Sequence, residues 1–146
     1  MSLLIANLRD GLPAEFVALR AQAETEGYPF VSRLALRWRD GGYDGDGRAT
    51  LLGAYDGGAL LAVGALTADE YDPHPDHRRI RHFYVLPAAR RRGAGRALAD
   101  ALTSEAFRVA PRLHLRATHA LSLAFWDAMG FTRVDRPNRT HEKVRP

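Results

Sequence analysis

The sequence predicts an α/β fold in which a mixed β-sheet carries helices on both faces. The hydrophobic patterns follow one another in the order β-α-α-β-β-β-α-β-α-β-β. The turn Asp56-Gly57-Gly58 separates two apolar runs and is typical of a β-hairpin, which supplies an antiparallel pair. A helix lies between the strand ending at Val85 and the strand beginning at Arg112, so these strands require a crossover and should run parallel. Such a sheet has two faces for helices to cover.

The first half of the chain contains two amphipathic helices and three strands. Pro13 suits the first turn of a helix, and Phe16, Leu19 and Ala23 then fall on one side of it. Pro29 opens a second helix in the same way. The predicted elements are a strand at 3–6, helices at 13–27 and 30–38, a loop at 40–47, and strands at 50–55 and 59–67.

The second half alternates strands with helices. The predicted elements are a loop at 68–77, a strand at 78–85, a helix to about residue 109, a strand at 112–117, a helix at 121–129, and strands at 131–134 and 140–144. Periodicity gives each helix and the strand at 112–117 one apolar face. The residues expected on these faces are Leu98, Leu102, Ala106 and Val109, then Leu113, Leu115 and Ala117, then Leu121, Phe125 and Met129.

Length and composition limit the functions that the chain can have. With 146 residues, 46% of them hydrophobic, one domain spanning 1–146 is expected to fold without disulfides. The absence of cysteine excludes a thiolate metal site and a cysteine nucleophile, and it fits a cytoplasmic location. We expect no membrane segment, because no apolar run is long enough. The net charge of +4 suits an anionic ligand, but no nucleic-acid-binding motif accompanies it, so a nucleic-acid partner is not expected.

A glycine-rich turn after the strand ending at Val85 is the strongest functional signal in the sequence. Gly93 and Gly95 lie where the next helix begins, so main-chain N–H groups there have no intrahelical partner and lie at the positive end of the helix dipole. Residues without side chains also let an anion approach the main chain closely. The turn therefore predicts a phosphate-binding site. The alternative is a solvated basic helix start, although cations at a helix N-terminus oppose the dipole and have no stabilising role there.

Two motifs resemble those of the GNAT superfamily of acetyl-CoA-dependent N-acetyltransferases. Arg90-x-x-Gly93-x-Gly95, after a strand and a proline, is similar to the acetyl-CoA-binding signature. His119-x-x-Ser122-x-x-Phe125-Trp126-x-x-x-Gly130-Phe131 resembles the downstream motif, with His and Trp in place of the usual Asn and Tyr. The resemblance implies a single-domain, mostly antiparallel central sheet with helices on both faces. It also implies that the two parallel strands splay apart to admit the cofactor.

The resemblance further implies where acetyl-CoA binds. The pyrophosphate would lie on main-chain N–H groups at 91–96, and the pantetheine arm would pair with the strand edge at 83–85 as an added strand does. A main-chain N–H at this edge would face the thioester oxygen and stabilise its negative charge when an amine attacks directly. The residues expected to contact the cofactor are Phe83, Tyr84, Val85, Arg90, Arg91, Arg92, Gly93, Ala94, Gly95, Arg96, His119, Ser122, Phe125 and Trp126.

Three side chains are candidates for acid–base catalysis, because an indole at position 126 cannot act as the acid that the family's Tyr provides. Tyr84 carries a weakly acidic phenol. His119 has an imidazole that titrates near physiological pH, and it follows the strand that lines the gap between the two parallel strands. His82 falls on the same predicted strand face as Ile80 and Tyr84. The structural alternatives are core packing for Tyr84, helix capping for His119 and strand burial for His82. A CoA thiolate is also a tolerable leaving group, so an acid is not required.

The resemblance implies a primary amine, on a small molecule or a protein, as the acceptor. The residues expected to bind it are Tyr28, Phe30, Trp38 and Glu70, with Asp69 as a further candidate; core packing and loop solvation are their structural alternatives. No metal site is expected, because His74 and His77 lie three residues apart without an evident third ligand. A homodimer is a common arrangement in the family. The loss of the usual Tyr leaves an alternative function open, that of a non-catalytic acyl-CoA-binding sensor or interaction module.

Overall fold

A computed structural model describes residues 2–8, 10–41 and 48–146. The elements are β1 (Leu3–Asn7), α1 (Phe16–Thr25), α2 (Phe30–Arg39), β2 (Thr50–Asp56), β3 (Ala59–Ala68), β4 (His77–Val85), a 3₁₀ turn (Pro87–Ala89), α3 (Ala94–Val109), β5 (Arg112–Leu115), α4 (Ala120–Ala128), β6 (Thr132–Arg136) and β7 (Arg139–Val144). The predicted helices and strands are confirmed, with ends that shift by at most three residues. Most of the predicted loop at 40–47 lies outside the described residues. Within the described ranges, no helix combines the length and the apolar character that a membrane span requires.

The seven strands of the described residues form one sheet in the order β1-β2-β3-β4-β5-β7-β6. Neighbouring strands are antiparallel except for β4 and β5, which run parallel as predicted. The last pair between these two strands joins Arg79 to His114, whereas β4 continues to Val85. The strands therefore separate beyond Arg79, and β4 has an open edge over its second half.

A β-bulge lies in the open half of β4. The register of β4 against β3 shifts by one residue between Val63 and Ala65 of β3, so β4 holds one extra residue there. His82 lies in this bulge, and its φ of 55° is in the left-handed region. The prediction that Ile80 and Tyr84 share one strand face is therefore wrong, since they belong to the cores on opposite sides of the sheet.

Each face of the sheet has its own hydrophobic core. Helices α3 and α4 cover one face, where Leu98 and Trp126 are among the buried side chains. Helices α1 and α2 cover the other face, where Leu19 and Tyr84 are buried. This arrangement confirms the prediction of helices on both faces. The open edge of β4 therefore has α3 and α4 on one side and α1 and α2 on the other.

Two residues predicted on buried helix faces are exposed instead. Val109 is 42% exposed in the last turn of α3, and Leu121 is 74% exposed in the first turn of α4. Both lie at helix ends, beyond the part of each helix that packs against the sheet. Helical periodicity therefore identified the packing face correctly but extended it too far.

Candidate active site

The turn after β4 leaves the main chain accessible at the start of α3. Gly93 is the N-cap, its φ of 90° lies in the left-handed region that favours glycine, and no side chain caps the helix there. A Cβ at position 93 would meet no atom within 4 Å. Gly95 has a different role, because a Cβ there would lie 3.2 Å from Val85 Cγ2 and 3.4 Å from Phe125 Cε1. Gly93 therefore borders open space, whereas Gly95 lets α3 pack closely against β4.

The arginine corner, which we define as residues 91–96, carries positive charge without acidic partners. Arg91, Arg92 and Arg96 are exposed, and the described residues place no carboxylate within 4 Å of their guanidinium groups. The main-chain N–H groups of the first turn of α3 have no intrahelical acceptor. Free N–H groups beside unpaired cations form a suitable site for a phosphate-containing anion.

Arg90 differs from these three arginines because it is already paired. Its guanidinium donates to both carboxylate oxygens of Glu26, at 2.7 and 2.9 Å, and its Nε donates to the carbonyl oxygen of Val85 at 3.1 Å. The hydroxyl of Tyr84 donates to the same carboxylate. Hydrogen bonding from Arg90 holds the pKa of Glu26 below its usual range, whereas burial and the Glu26 carboxylate raise the pKa of Tyr84. Glu26, which sequence reasoning missed, thus joins the end of α1 to both Tyr84 and Arg90.

An apolar wall lies on the α3 side of the open edge. The ring of Phe83 packs against the rings of Phe125 and Trp126, with centroid distances of 5.6 and 4.9 Å. Trp126 is only 4% exposed and belongs to the core, so its indole offers little surface to a ligand. Phe83 and Phe125 are half-buried. These two rings have surface available to line a ligand at this edge, and the contact of Trp126 with a cofactor stays a prediction.

Four predicted site residues meet on the α1–α2 side. The ring of Tyr28, which follows α1, stacks on the ring of His119, which follows β5, at a centroid distance of 5.6 Å. The rings of Tyr28 and Phe30 lie 6.2 and 6.1 Å from the ring of Tyr84. His119 Nδ1 accepts a hydrogen bond from the Ser122 N–H at 3.4 Å, within a capping box at the start of α4. His119 therefore caps a helix and borders the gap at the same time.

His82 presents an unused basic nitrogen. Its Nδ1 lies 3.0 Å from the carbonyl oxygen of Phe30, and because a carbonyl only accepts, Nδ1 carries the hydrogen. Its Nε2 is buried and has no hydrogen-bond partner among the described residues. Burial, together with the charge of Arg81, lowers the pKa of His82 to about 4. The ring is therefore neutral at physiological pH, with a free lone pair on Nε2.

The other two acceptor candidates show no ring contact with this aromatic group among the described residues. Trp38 packs against the core beneath α1 and α2. Glu70 accepts a hydrogen bond from Arg81 Nη1 at 2.8 Å, and this contact holds the pKa of Glu70 below its usual range. The charge of Glu70 is thus balanced by an arginine of β4.

A charged layer, which we define as Asp69, Arg79 and His114, is buried where β4 and β5 still pair. The exposed fractions of these residues are 1%, 6% and 2%. Asp69 Oδ2 accepts from His114 Nδ1 at 2.8 Å, and Asp69 Oδ1 lies 3.7 Å from Arg79 Nη1. Burial alone would raise the pKa of Asp69, but hydrogen bonds from His114 and the Tyr71 N–H outweigh it and lower that pKa. Sequence reasoning named Asp69 and missed the other two, because no local motif marks them.

His114 also lies close to His77, the first residue of β4, which the sequence analysis considered together with His74. Ligand atoms of Asp72, His77 and His114 lie within 4.8 Å of one another. The sequence offered no third ligand near His77, because His114 comes from β5. Arg139 Nη1 already lies 2.8 Å from Asp72 Oδ2 and places a positive charge beside this group. The absence of a metal site therefore stays a prediction.

Comparison with known proteins identifies the family. No curated protein sequence matches the chain. A protein of Exiguobacterium sp. 255-15 described as an acetyltransferase has a similar structure, with 29% identity and a TM-score of 0.86 over 99% of this chain and 94% of that chain. A GNAT-family acetyltransferase of Staphylococcus aureus Mu50 gives 12% identity and a TM-score of 0.69, over 98% and 99% of the two chains. The ribosomal-protein-alanine N-acetyltransferase of Brucella melitensis gives 19% and 0.71, over 97% and 99%. Residues 14–131 match the acetyltransferase (GNAT) family, to which the chain belongs.

Proposed function

We propose that the protein transfers an acetyl group from acetyl-CoA to a primary amine, by direct attack of the amine in a ternary complex. The observation that carries this proposal is the open edge of β4, which begins where β4 and β5 separate and ends beside the arginine corner. Membership of the acetyltransferase family supports acyl transfer. One structural neighbour, the ribosomal-protein-alanine N-acetyltransferase of Brucella melitensis, has an amine acceptor, which is consistent with this chemistry.

The described residues suit acetyl-CoA as the donor. The arginine corner offers main-chain N–H groups and three unpaired guanidinium groups to the phosphates. From Val85 back to Arg79, the open half of β4 spans about 20 Å, along which the pantetheine arm can pair as an added strand does. The half-buried rings of Phe83 and Phe125 lie beside this path. The thioester end would then lie near the bulge at His82.

His82 is our candidate for accepting the amine proton. Acetyl-CoA supplies an activated thioester, so the protein's task is to position the amine and to receive its proton. The unpaired Nε2 of His82 can accept a hydrogen bond from the amine, directly or through water. With a pKa of about 4 the imidazole is a weak base. We therefore propose that His82 passes the proton on to water and does not keep it.

We propose that the thiolate leaves without a strong acid. Tyr84 already donates its hydroxyl hydrogen to Glu26, and its raised pKa makes it a poorer acid than a free phenol. His119 uses Nδ1 to cap α4, so protonation of that nitrogen would break the cap. A thiol has a pKa of about 8.5, which makes the thiolate a tolerable leaving group. Tyr84 and His119, the other two acid–base candidates, are assigned instead to orienting the reactants.

Titration calorimetry and thiol release together test the proposal. We expect acetyl-CoA to bind and free CoA to appear when an amine library is added. Replacing Arg91, Arg92 and Arg96 by Gln should weaken binding by about 10- to 100-fold, because charge-assisted hydrogen bonds to phosphate are lost. Arg108→Gln is the matched control, since Arg108 is exposed and pairs with Glu105 at the far end of α3. Binding without turnover would favour the acyl-CoA sensor, and no binding at about 100 μM would contradict both functions.

The Tyr84→Phe variant tests whether an acid is needed. If the thiolate leaves unaided, kcat should fall by less than about tenfold, whereas loss of a general acid costs about 10²- to 10⁴-fold. The measurement is kcat for the best amine across pH, with Tyr55→Phe as the control from another strand. A loss of a hundredfold or more, with unchanged binding of acetyl-CoA, would show that Tyr84 is the acid after all.

A further inference from the structure

A cavity of about 230 Å³ lies beside the point where β4 and β5 separate. Its walls come from the β3–β4 loop, β4 and the β6–β7 turn. The lining residues that matter here are Asp69, Tyr71, Arg79, Arg136, Asn138 and Arg139. Arg79 is the last residue of β4 that pairs with β5, so the cavity adjoins the inner end of the open edge.

Arg79 reaches this cavity with most of its hydrogen-bonding capacity unused. It is 6% exposed, and its Nη1 donates to the carbonyl oxygen of Asn138 at 2.7 Å. The carboxylate of Asp69 lies 3.7 Å from the same nitrogen, beyond hydrogen-bond distance. The ring of Tyr71 covers the guanidinium at 4.8 Å. No hydrogen bond from its Nε or Nη2 is found among the described residues, so these donors are left for solvent or for an anion in the cavity.

Arg81, two residues along β4, has donors that are both buried and unpaired. Its Nη1 donates to Glu70, but Nε and Nη2 are buried and have no hydrogen-bond partner within the described ranges. These two nitrogens form one edge of the guanidinium, the edge that binds a carboxylate through two parallel hydrogen bonds. Because Arg79 and Arg81 precede the bulge and alternate along the strand, they lie on one face about 7 Å apart. β4 therefore carries two adjacent guanidinium groups with spare donors, and Arg79 is the one that lines the cavity.

The acidic groups of the cavity do not cancel this charge. Asp69 is engaged by His114, and Asp72 is engaged by Arg139 at 2.8 Å. Arg136 lines the cavity, and no carboxylate of the described residues lies within 4 Å of its guanidinium. The unpaired charge that faces the cavity is positive.

We propose that this cavity binds a carboxylate of the acceptor, so that the preferred substrates are amines that carry a carboxylate group, such as amino acids. The inference rests on the proposed acetyl transfer, since the cavity adjoins the inner end of the open edge and His82 follows Arg79 by three residues on the same strand. The carboxylate binds to Arg79 and Arg136, and the charge of Arg81 supports it. A monoanion fits better than a phosphate dianion, because Asp69 and Asp72 share the same walls and would repel a second negative charge.

Matched pairs of amines test the inference. Each amino acid of a panel is compared with the amine that lacks only its carboxylate, for example phenylalanine with phenethylamine, and kcat/KM is measured by thiol release. We expect the amino acid to be preferred by about 10- to 100-fold, the range that charge-assisted hydrogen bonds supply. Arg79→Met and Arg136→Gln should each reduce this ratio, mainly through KM. Arg136 is exposed, so its substitution keeps the test valid if Arg79→Met fails to fold. Arg108→Gln, on α3, should leave the ratio unchanged.

A binding measurement separates this inference from the proposed function. N-acetylphenylalanine and N-acetylphenethylamine are titrated into the protein in the presence of CoA, which needs no turnover. Tighter binding of the carboxylate compound, lost in Arg136→Gln, supports the cavity assignment even if no amine is acetylated. Turnover with equal kcat/KM for both members of every pair would overturn the inference while leaving acetyl transfer intact. Equal binding of the two acetylated compounds would overturn it as well.

Discussion

The positive charges at the two ends of β4 differ in their exposure and in their acidic partners. Beyond its last residue, the arginine corner holds three exposed cations, and in the described part of the chain no carboxylate lies within 4 Å of their guanidinium groups. At its beginning, the charged layer buries Arg79 against Asp69, which also accepts a hydrogen bond from His114. An exposed cation stays hydrated and costs little, whereas a buried one needs a partner within the protein. The corner is therefore suited to an anion alone, whereas the layer already contains an internal anion, Asp69, and leaves Arg79 with spare donors only on the side of the cavity.

The largest expected effect comes from removing the acid of the charged layer. Asp69→Asn keeps the shape of the side chain but leaves Arg79 buried without its nearest carboxylate. Breaking one partner of a buried ion pair costs about 3–5 kcal/mol. We expect the free energy of unfolding, measured in urea at pH 7, to fall by that amount. Glu105→Gln breaks the exposed pair with Arg108 and is the control, with an expected loss below about 1 kcal/mol. Equal losses in the two variants would contradict the distinction between buried and exposed charge.

His82 lies between the two ends of β4, and its burial makes the stability of the fold depend on pH. Its pKa of about 4 in the folded protein is below the usual 6.5, because burial and Arg81 disfavour the charged ring. Between pH 6.5 and 4 the unfolded chain therefore binds a proton that the folded chain does not, and the free energy of unfolding falls as the pH falls. This contribution is at most about 3 kcal/mol. His82→Asn, a residue that tolerates positive φ, should lose less stability over the same range. The free energy of unfolding is measured in urea across this range for the unchanged protein and for His82→Asn. An equal fall in both proteins would show that His82 is not buried in neutral form.

The residues of the corner are easier to find from the sequence than the rest of the candidate site, and the reason is physical. The corner is built from consecutive residues, so Gly93 and its neighbouring arginines can be recognised from their spacing alone. The charged layer combines Asp69 after β3, Arg79 on β4 and His114 on β5, which only the sheet brings together. No local pattern encodes that contact.

The bulge of β4 was missed for a related reason. Strict alternation placed Ile80 and Tyr84 on one face, and one extra residue at His82 separates them. A histidine with positive φ carries no reliable sequence signal, since that conformation is more typical of glycine and asparagine. The consequence is local but important, because the bulge also directs the imidazole to the carbonyl of Phe30 and leaves its Nε2 unpaired.

The smallest expected effect is on the free energy of unfolding when the arginine corner is changed. Each cation near the N-terminus of α3 opposes the helix dipole by about 0.3–1 kcal/mol at low ionic strength. Replacing Arg91, Arg92 and Arg96 by Gln should therefore leave the free energy of unfolding unchanged or raise it by up to about 1 kcal/mol, even after loss of the 3.3 Å contact from Arg92 to the Ala88 carbonyl. The gain should shrink in high salt, where the dipole is screened. A loss above about 2 kcal/mol in urea unfolding without ligand would mean that these arginines stabilise the fold, as Asp69 does. An unchanged or raised stability, combined with weakened binding of CoA, is the outcome that only a ligand site explains.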